Sequence, residues 1–234
     1  MKIAIMQPYF IPYIGYFQLI NAVDQFIIYD DIQYTKKGWI NRNRVLVNNK
    51  DAYITLPLKK DSDYADIKDR YLAGSWNLER NKILNRLRAN YRRAPYFEVT
   101  YPLAEKILLF DNVNLFNFLL QSIRTILDHL NIRTNIIISS TLDVDKTFKS
   151  EKKVIAICEK MNSSDYVNAI GGVSLYNKEH FFDQNITLHF LKTKNIQYQQ
   201  FGKPFIASLS IIDMLMFNSV DSVISMINEQ YELV

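Results

Sequence analysis

The chain of 234 residues contains a single cysteine, Cys158. One thiol cannot build a disulfide framework within the chain, and it suits a reducing compartment. Cys158 lies in the run VIAICEKM, on the apolar side of an expected helix and with no activating group beside it. It reads as a buried, inert thiol rather than a nucleophile. No basic and apolar leader precedes the first expected strand, and no apolar run is long enough to cross a bilayer. The expectation is a cytoplasmic protein without a transmembrane segment. Histidine is scarce as well. None of His129, His180 and His189 has a metal-ligand spacing, and each reads as structural. No Walker loop, G-x-S-x-G, C-x-x-C or H-E-x-x-H occurs. Internal repeats, low-complexity tracts and Gly/Ser linkers are missing too.

Charge of one sign is not in great excess. The 28 basic and 24 acidic residues leave a formal charge of +4, too mild to predict a nucleic-acid partner. The densest basic cluster is Arg80, Lys82, Arg86, Arg88, Arg92 and Arg93. It reads as a solvated helix face or as a docking patch for an acidic partner.

What the chain has in quantity is aromatic surface, with 15 Tyr and 14 Phe. Flat rings serve a large core, and they also cover the flat apolar faces of sugars and bases. The first 34 residues are the most informative. They predict a strand (Lys2–Met6), an aromatic, proline-rich loop (Gln7–Pro12), a helix from about Gly15, and a strand (Gln25–Tyr29) ending in Asp30 and Asp31. In open α/β sheets such a loop lies at the carboxyl edge of the strands, where ligands bind.

Further strands are expected at Tyr53–Leu58, Asn135–Ser139, Asp165–Ala169, Thr187–Phe190 and Ile196–Gln199. Helices are expected at Trp76–Tyr91, from Pro102, and at Leu115–Leu130, Lys152–Met161, Ile211–Asn218 and Val220–Gln230. Lys59–Asp69 reads as a surface loop. Strands alternating with helices predict a mainly parallel sheet covered by helices. The whole chain reads as one α/β domain, with an inserted helical lobe at about 59–112.

Several groups carry candidate chemistry. Asp30 and Asp31 could accept from sugar hydroxyls, take a proton or hold a metal, and alternation along a strand would aim only one of them into a site; they could also simply cap the strand. Lys36, Trp39, Asn41, Arg42 and Asn43 combine stacking surface, amides and fixed charge, an inventory suited to a phosphorylated sugar and equally to a polar edge strand. Ser139 and Ser140 after a buried strand could hold phosphate or cap a helix. Gly171 and Gly172, with Ser174 and Tyr176 nearby, permit close ligand approach or a tight turn.

Tyr13-Ile14-Gly15-Tyr16 occupies the place where Rossmann-type nucleotidyltransferase-like proteins carry H-x-G-H, and Ile138–Thr141 matches their I-S-S-T. Gly15 keeps the close approach, but tyrosines stand where that chemistry uses histidines. The match is therefore fold-level, and the two tyrosines could be packing aromatics.

The blocks Met6–Ile20 (MQPYFIPYIGYFQLI), Phe26–Tyr34 (FIIYDDIQY), Trp39–Arg44 (WINRNR), Ile54–Leu58 (ITLPL) and Leu209–Leu215 (LSIIDML) resemble the WbqC-like family over nearly the whole chain. The resemblance implies a Rossmann-like fold and a role in bacterial surface-polysaccharide (O-antigen) biosynthesis. The implied chemistry is transfer of an acyl or aminoacyl group such as glycyl to the amine of a nucleotide-linked 4-amino-4,6-dideoxy sugar. The donor would be a phosphopantetheine thioester on a carrier protein, with no metal or other cofactor. Such a reaction needs a base, oxyanion donors and a nucleotide-sugar cradle. Asp30 or Asp31 is the expected base, and Gln7 with amides near Gly15 the oxyanion donor. Arg42 with Ser139 or Ser140 would hold the pyrophosphate of a dTDP-type substrate, and Trp39 and Tyr9 would stack. Tyr13, Tyr34, Lys36, Asn41, Asn43, Gly171, Gly172 and Tyr176 complete the expected cradle. The carrier would dock at Arg80–Arg93. The alternatives are a nucleotidyltransferase-like enzyme using a nucleoside triphosphate and magnesium, and a non-catalytic nucleotide-sugar-binding protein.

Overall fold

A computed structural model describes residues 1–234. The elements run β1 (Lys2–Met6), α1 (Ile14–Asn21), β2 (Gln25–Ile28), β3 (Arg42–Val47), β4 (Lys50–Thr55), α2 (Trp76–Tyr91), α3 (Phe97–Leu108) and α4 (Leu115–His129). Then come β5 (Asn135–Ile138), α5 (Ser150–Lys160), β6 (Asp165–Ala169), α6 (Lys178–Phe182), β7 (Thr187–Thr193), α7 (Ile211–Phe217), α8 (Val220–Glu229) and β8 (Tyr231–Leu233). Six strands form one sheet in the order β5-β2-β1-β6-β7-β8, and β3 with β4 forms a separate hairpin. All neighbours in the sheet are parallel except β7 and β8. The expected mainly parallel, helix-covered sheet is present.

The strands read KIAIM, QFII and NIII because a parallel sheet buries both faces. Alternation divides their side chains between two cores. Ala4, Phe26 and Ile28 face a core of 50 buried residues built with α1, α2, α3, α4, α7 and α8. Ile3, Ile5, Ile27 and Tyr29 face a smaller core of 12, closed by Val154, Ile157 and Cys158 of α5 and by Phe181 of α6. The helices between residues 59 and 112 contribute Ile83, Leu87, Ala104 and Ile107 to the larger core. The chain lays down β1, β2 and β5 outward on one side, then crosses back to place β6 on the other side of β1. The carboxyl ends of β1 and β6 therefore form the switch point at which open α/β sheets bind ligands.

Three local expectations change. Pro102 does not open a helix but lies inside α3. The helix starts earlier because Thr100 donates to the Leu215 carbonyl at 2.8 Å and Tyr101 packs inward. The second hairpin strand is Lys50–Thr55 rather than Tyr53–Leu58, since the tight turn at Asn48 and Asn49, both with positive φ, sets the register Val47 opposite Lys50. Residues 196–199 form no strand. The sheet edge is closed instead by β8, with Leu191 opposite Leu233. The 59–69 segment lies largely at the surface, as expected, and is pinned at its end. Ala65, Ile32 and Asp30 carbonyls accept from the Tyr34, Ile67 and Lys68 amides at 3.0–3.1 Å.

Candidate functional site

β2 ends at Ile28, so Asp30 and Asp31 lie beyond the pleat and do not point to opposite faces. Both turn toward Ser139, directly after the neighbouring strand β5. Asp30 is 2% exposed and accepts from the Ser139 hydroxyl (2.8 Å), the Ser140 amide (2.9 Å) and the Ser140 hydroxyl (2.6 Å). Ser139 also hydrogen-bonds Asp31. The serine hydroxyls are thus engaged by carboxylates, which leaves them poor donors for the phosphate that the sequence assigned to them.

Asp31 is the carboxylate at the rim. Lys153 of α5 bonds its Oδ2 at 2.7 Å and its backbone carbonyl at 3.0 Å. The Lys153 ammonium also lies 4.8 Å from the centre of the Tyr29 ring. Burial pushes the Tyr29 phenol up, and the charge of Asp31 adds to it. Asp66 joins from the 59–69 segment. Desolvation raises its carboxyl, Asp69 and Asp31 add to the rise, and Lys68 and Lys153 oppose it. Sequence reasoning missed Lys153, Tyr29 and Asp66. The available signal was a lysine four residues before Ile157 on the apolar face of α5, a position that favours a buried partner. No three His, Cys, Asp or Glu side chains converge as a metal ion would require.

A second cluster forms where the loop after β1 meets the hairpin. Tyr9, Pro12, Tyr13, Trp39, Asn43, Arg44 and Ser208 line a cavity of about 250 Å³. Four of these, Tyr9, Tyr13, Trp39 and Asn43, were expected site residues. Burial raises the Tyr9 and Tyr13 phenols, which keeps both neutral. Trp39 and Tyr53 stack at 6.3 Å, with the Arg42 guanidinium 4.6 Å from the Tyr53 ring centre and Arg44 5.7 Å from that of Trp39. This four-member ladder is open to solvent, Trp39 at 39% and Tyr53 at 47%. It offers flat apolar surface flanked by fixed cations.

Other expected ligands are occupied by the fold itself. The Asn43 amide donates to the Phe10 and Ile11 carbonyls at 3.0 and 2.8 Å, which stitches the hairpin to the loop after β1. Asn41 donates to the Leu56 carbonyl and accepts from the Tyr34 hydroxyl. Tyr34 is buried beneath the Arg70 guanidinium. Arg42 donates to the Gly38 and Lys37 carbonyls, shaping the turn before β3. Lys36 stands apart, paired with Asp63 at the surface.

At the end of β1, the Tyr16 hydroxyl donates to the Gln7 carbonyl at 3.0 Å. The Tyr13 ring lies against Gly15, in space that a β-carbon there would need. The phenol therefore covers the start of α1, where a phosphate would otherwise approach the helix amides. Across β6, the Asn168 amide rests on Gly172, which tolerates it only because it has no side chain. Gly171 is open. Tyr176 packs edge-on against Tyr166 and Phe181.

The remaining scarce residues are placed as expected of structural groups. Burial pushes the Cys158 thiol up to about 12. His180 pairs with Glu151 and His189 with Asp165, and burial lowers the pKa of His129. Along α2, Lys82 pairs with Glu79, Arg86 donates to the Tyr53 carbonyl, and Arg88 lies 4.0 Å from Glu105.

A family model described as the WbqC-like protein family matches residues 7–225. The uncharacterized protein Rv1507c of Mycobacterium tuberculosis is 29% identical over 218 residues, which is 92% of each chain. No solved structure matches.

Proposed function

The chain belongs to the WbqC-like family, and from that premise we propose that it transfers an acyl or aminoacyl group, such as glycyl, from a carrier-protein thioester to the amine of a nucleotide-linked 4-amino-4,6-dideoxy sugar in surface-polysaccharide biosynthesis. The observation that carries the reading is that an aromatic pocket and a rim carboxylate follow adjacent strands, Tyr9 in the loop after β1 and Asp31 in the loop after β2. Met6 of β1 is in register with Ile28 of β2. Tyr9 stands three residues beyond Met6, and Asp31 three beyond Ile28.

The pocket with its Trp39–Tyr53 ladder suits a base or sugar ring, and Arg44, which pairs with Asp51 at 3.2 Å and donates to the Ala207 and Ser208 carbonyls, would trade part of those bonds for the adjoining phosphates. Attack of the neutral sugar amine on the thioester carbonyl forms the C–N bond. Asp31 takes the proton from the resulting ammonium, the C–S bond breaks, and that proton passes to the departing thiolate. The Gln7 amide and nearby backbone amides would hold the oxyanion of the tetrahedral intermediate. Lys153 and Ser139 fix the Asp31 carboxylate, and Asp30 fixes the serines. The carrier would approach along the basic face of α2, where opposite charge speeds encounter. Tyr13 over the start of α1 weighs against triphosphate chemistry.

The test is calorimetric titration with a dTDP-4-amino-4,6-dideoxy sugar, dTDP and ATP, followed by a transfer assay with a glycyl thioester. Binding of the amino sugar is expected, together with amide formation that Asp31→Asn abolishes while binding is kept. Tight binding of ATP alone would overturn the reading. Sugar binding without transfer to any thioester would favour a non-catalytic binding protein.

A further inference from the structure

At the far end of the hairpin lies a cavity of about 540 Å³, at the end of the basic α2 face along which the proposed function brings the carrier, and assigning the cavity to a carrier arm rests on that reading. Three rigid pieces build it. The hairpin tip supplies Asn48 and Asn49, held in left-handed backbone conformation with φ of 50° and 58°. The end of α2 supplies Asn90, Arg92 and Arg93. The segment before α7 supplies Phe201. That segment is clamped by Gln200, whose amide donates to the Ile206 carbonyl at 3.1 Å and accepts from the Ile206 amide at 2.9 Å. A β-carbon on Gly202 would come within 2.9 Å of the Asn49 amide, so tip and segment are in close contact.

The lining contains no carboxylate. Arg92 and Arg93 have no acidic partner within ion-pair range, in contrast to Lys82 and Arg88 on the same helix. Neither guanidinium caps a carbonyl of the last turn of α2; the one bond to Arg88 there comes from the Arg92 backbone amide. Helix capping therefore does not account for them. Arg93 is laid over the Phe201 ring at 5.9 Å, and Phe201 is fixed edge-on to Phe217 at 4.8 Å. A stacked guanidinium keeps its edge N–H groups free for an oxyanion. The stacked Arg93, the unpaired Arg92 beside it, the Asn48 and Asn49 side chains and the Phe201 ring form a receptor for a phosphate group attached to an organic moiety, while Asn90 is spent on the Asn48 backbone amide and the Arg86 carbonyl.

We propose that the Arg92–Arg93 pocket is a phosphate-binding site separate from the Trp39 pocket. The phosphate could belong to a free phosphorylated metabolite or to the prosthetic arm of a carrier protein. The chemistry is the same, and the probes separate the two sources. The full chain is titrated in a calorimeter with inorganic phosphate, 4′-phosphopantetheine and pantetheine. Phosphate and phosphopantetheine are expected to bind and pantetheine to fail. Arg92→Ala/Arg93→Ala is expected to weaken both by more than about tenfold, the loss of at least one charge-assisted bond. Tighter binding of phosphopantetheine than of phosphate assigns the site to the arm, and equal binding assigns it to free phosphates.

The proposal is overturned if wild type binds neither phosphate nor phosphopantetheine. It is equally overturned if the double variant binds them as wild type does, or if Arg44→Ala in the other pocket removes the binding instead. Amino-sugar binding by the double variant should be unchanged, so failure here and failure of the transferase reading are told apart.

Discussion

Two aspartates are almost fully buried, Asp30 at the sheet edge and Asp213 in α7, and they differ in what lies beside them. Asp213 accepts from the Tyr91 hydroxyl (2.6 Å), the Tyr198 hydroxyl (2.6 Å) and the Gln200 amide (3.1 Å). Tyr91 in turn accepts from the Leu46 amide at 2.7 Å. The cluster ties α2, β3, α7 and the segment before it into one knot, with no cation and no carboxylate at a rim. Asp30 is saturated in the same way, but its neighbour Asp31 faces Lys153 at the edge where ligands enter an α/β sheet. A buried carboxylate is thus not a site by virtue of burial. The saturated member is a bracket, and in the proposed transfer the base is the less enclosed group beside it.

The largest expected effect comes from breaking the knot. Asp213→Ala strands two phenols and an amide inside the core, and should cost about 3 to 5 kcal/mol in urea unfolding. Asp213→Asn should cost less and also change the pH dependence. Burial raises the Asp213 carboxyl, against the opposing hydrogen bonds from Tyr198, Tyr91 and Gln200. The folded chain therefore binds more protons than the unfolded chain above the usual value of 3.8. The contribution of Asp213 is full below that value and declines as pH rises through the raised one. The wild type minus Asp213→Asn stability difference should fall over that interval. A flat difference would show that the Asp213 carboxyl titrates alike in the folded and unfolded chain.

Next in size is the half of the comparison that the proposed transfer would use. Asp31→Asn should lower turnover by about 10² to 10⁴ with binding retained, the range for loss of a general base. Asp30→Asn should act mainly on stability, because it disturbs the Ser139 and Ser140 bracket. Equal loss of turnover in both variants at unchanged stability would erase the distinction between bracket and base. Lys153→Met removes one member of a pair whose side chains are 9% and 11% exposed. It should destabilise the chain by about 2 to 4 kcal/mol, with partial rescue by Lys153→Arg.

Much of the fold was legible because parallel strands buried on both faces write continuous apolar runs, as in Phe26–Ile28 and Ile136–Ile138. The limits of Pro102 and of the second hairpin strand were not, since Thr100 and the Asn48–Asn49 turn act through partners distant in sequence or through φ. The site was half legible. Tyr9, Tyr13 and Trp39 were expected and do meet in one cavity. The roles of Asn41, Arg42 and Asn43 were hidden, because a polar side chain looks the same in a sequence whether it binds a ligand or staples its own backbone. Lys153 lies 122 residues from Asp31, and only the β5–α5 connection brings them together.

The smallest effect tests the open pocket against the two buried clusters. Trp39 is exposed and stacks only on Tyr53 and Arg44, so Trp39→Ala should change stability by no more than about 1 kcal/mol. If the ladder receives a base or sugar ring, the same variant should lose about 1 to 3 kcal/mol of binding to a dTDP-amino sugar, with Trp39→Phe recovering part of it. Tyr53→Ala should follow in the same direction and to a smaller extent, because Tyr53 supports Trp39 and does not line the cavity. A Trp39→Ala variant that binds the amino sugar as well as wild type would show that the ring does not stack on the ladder and leave the ladder as surface packing of the hairpin.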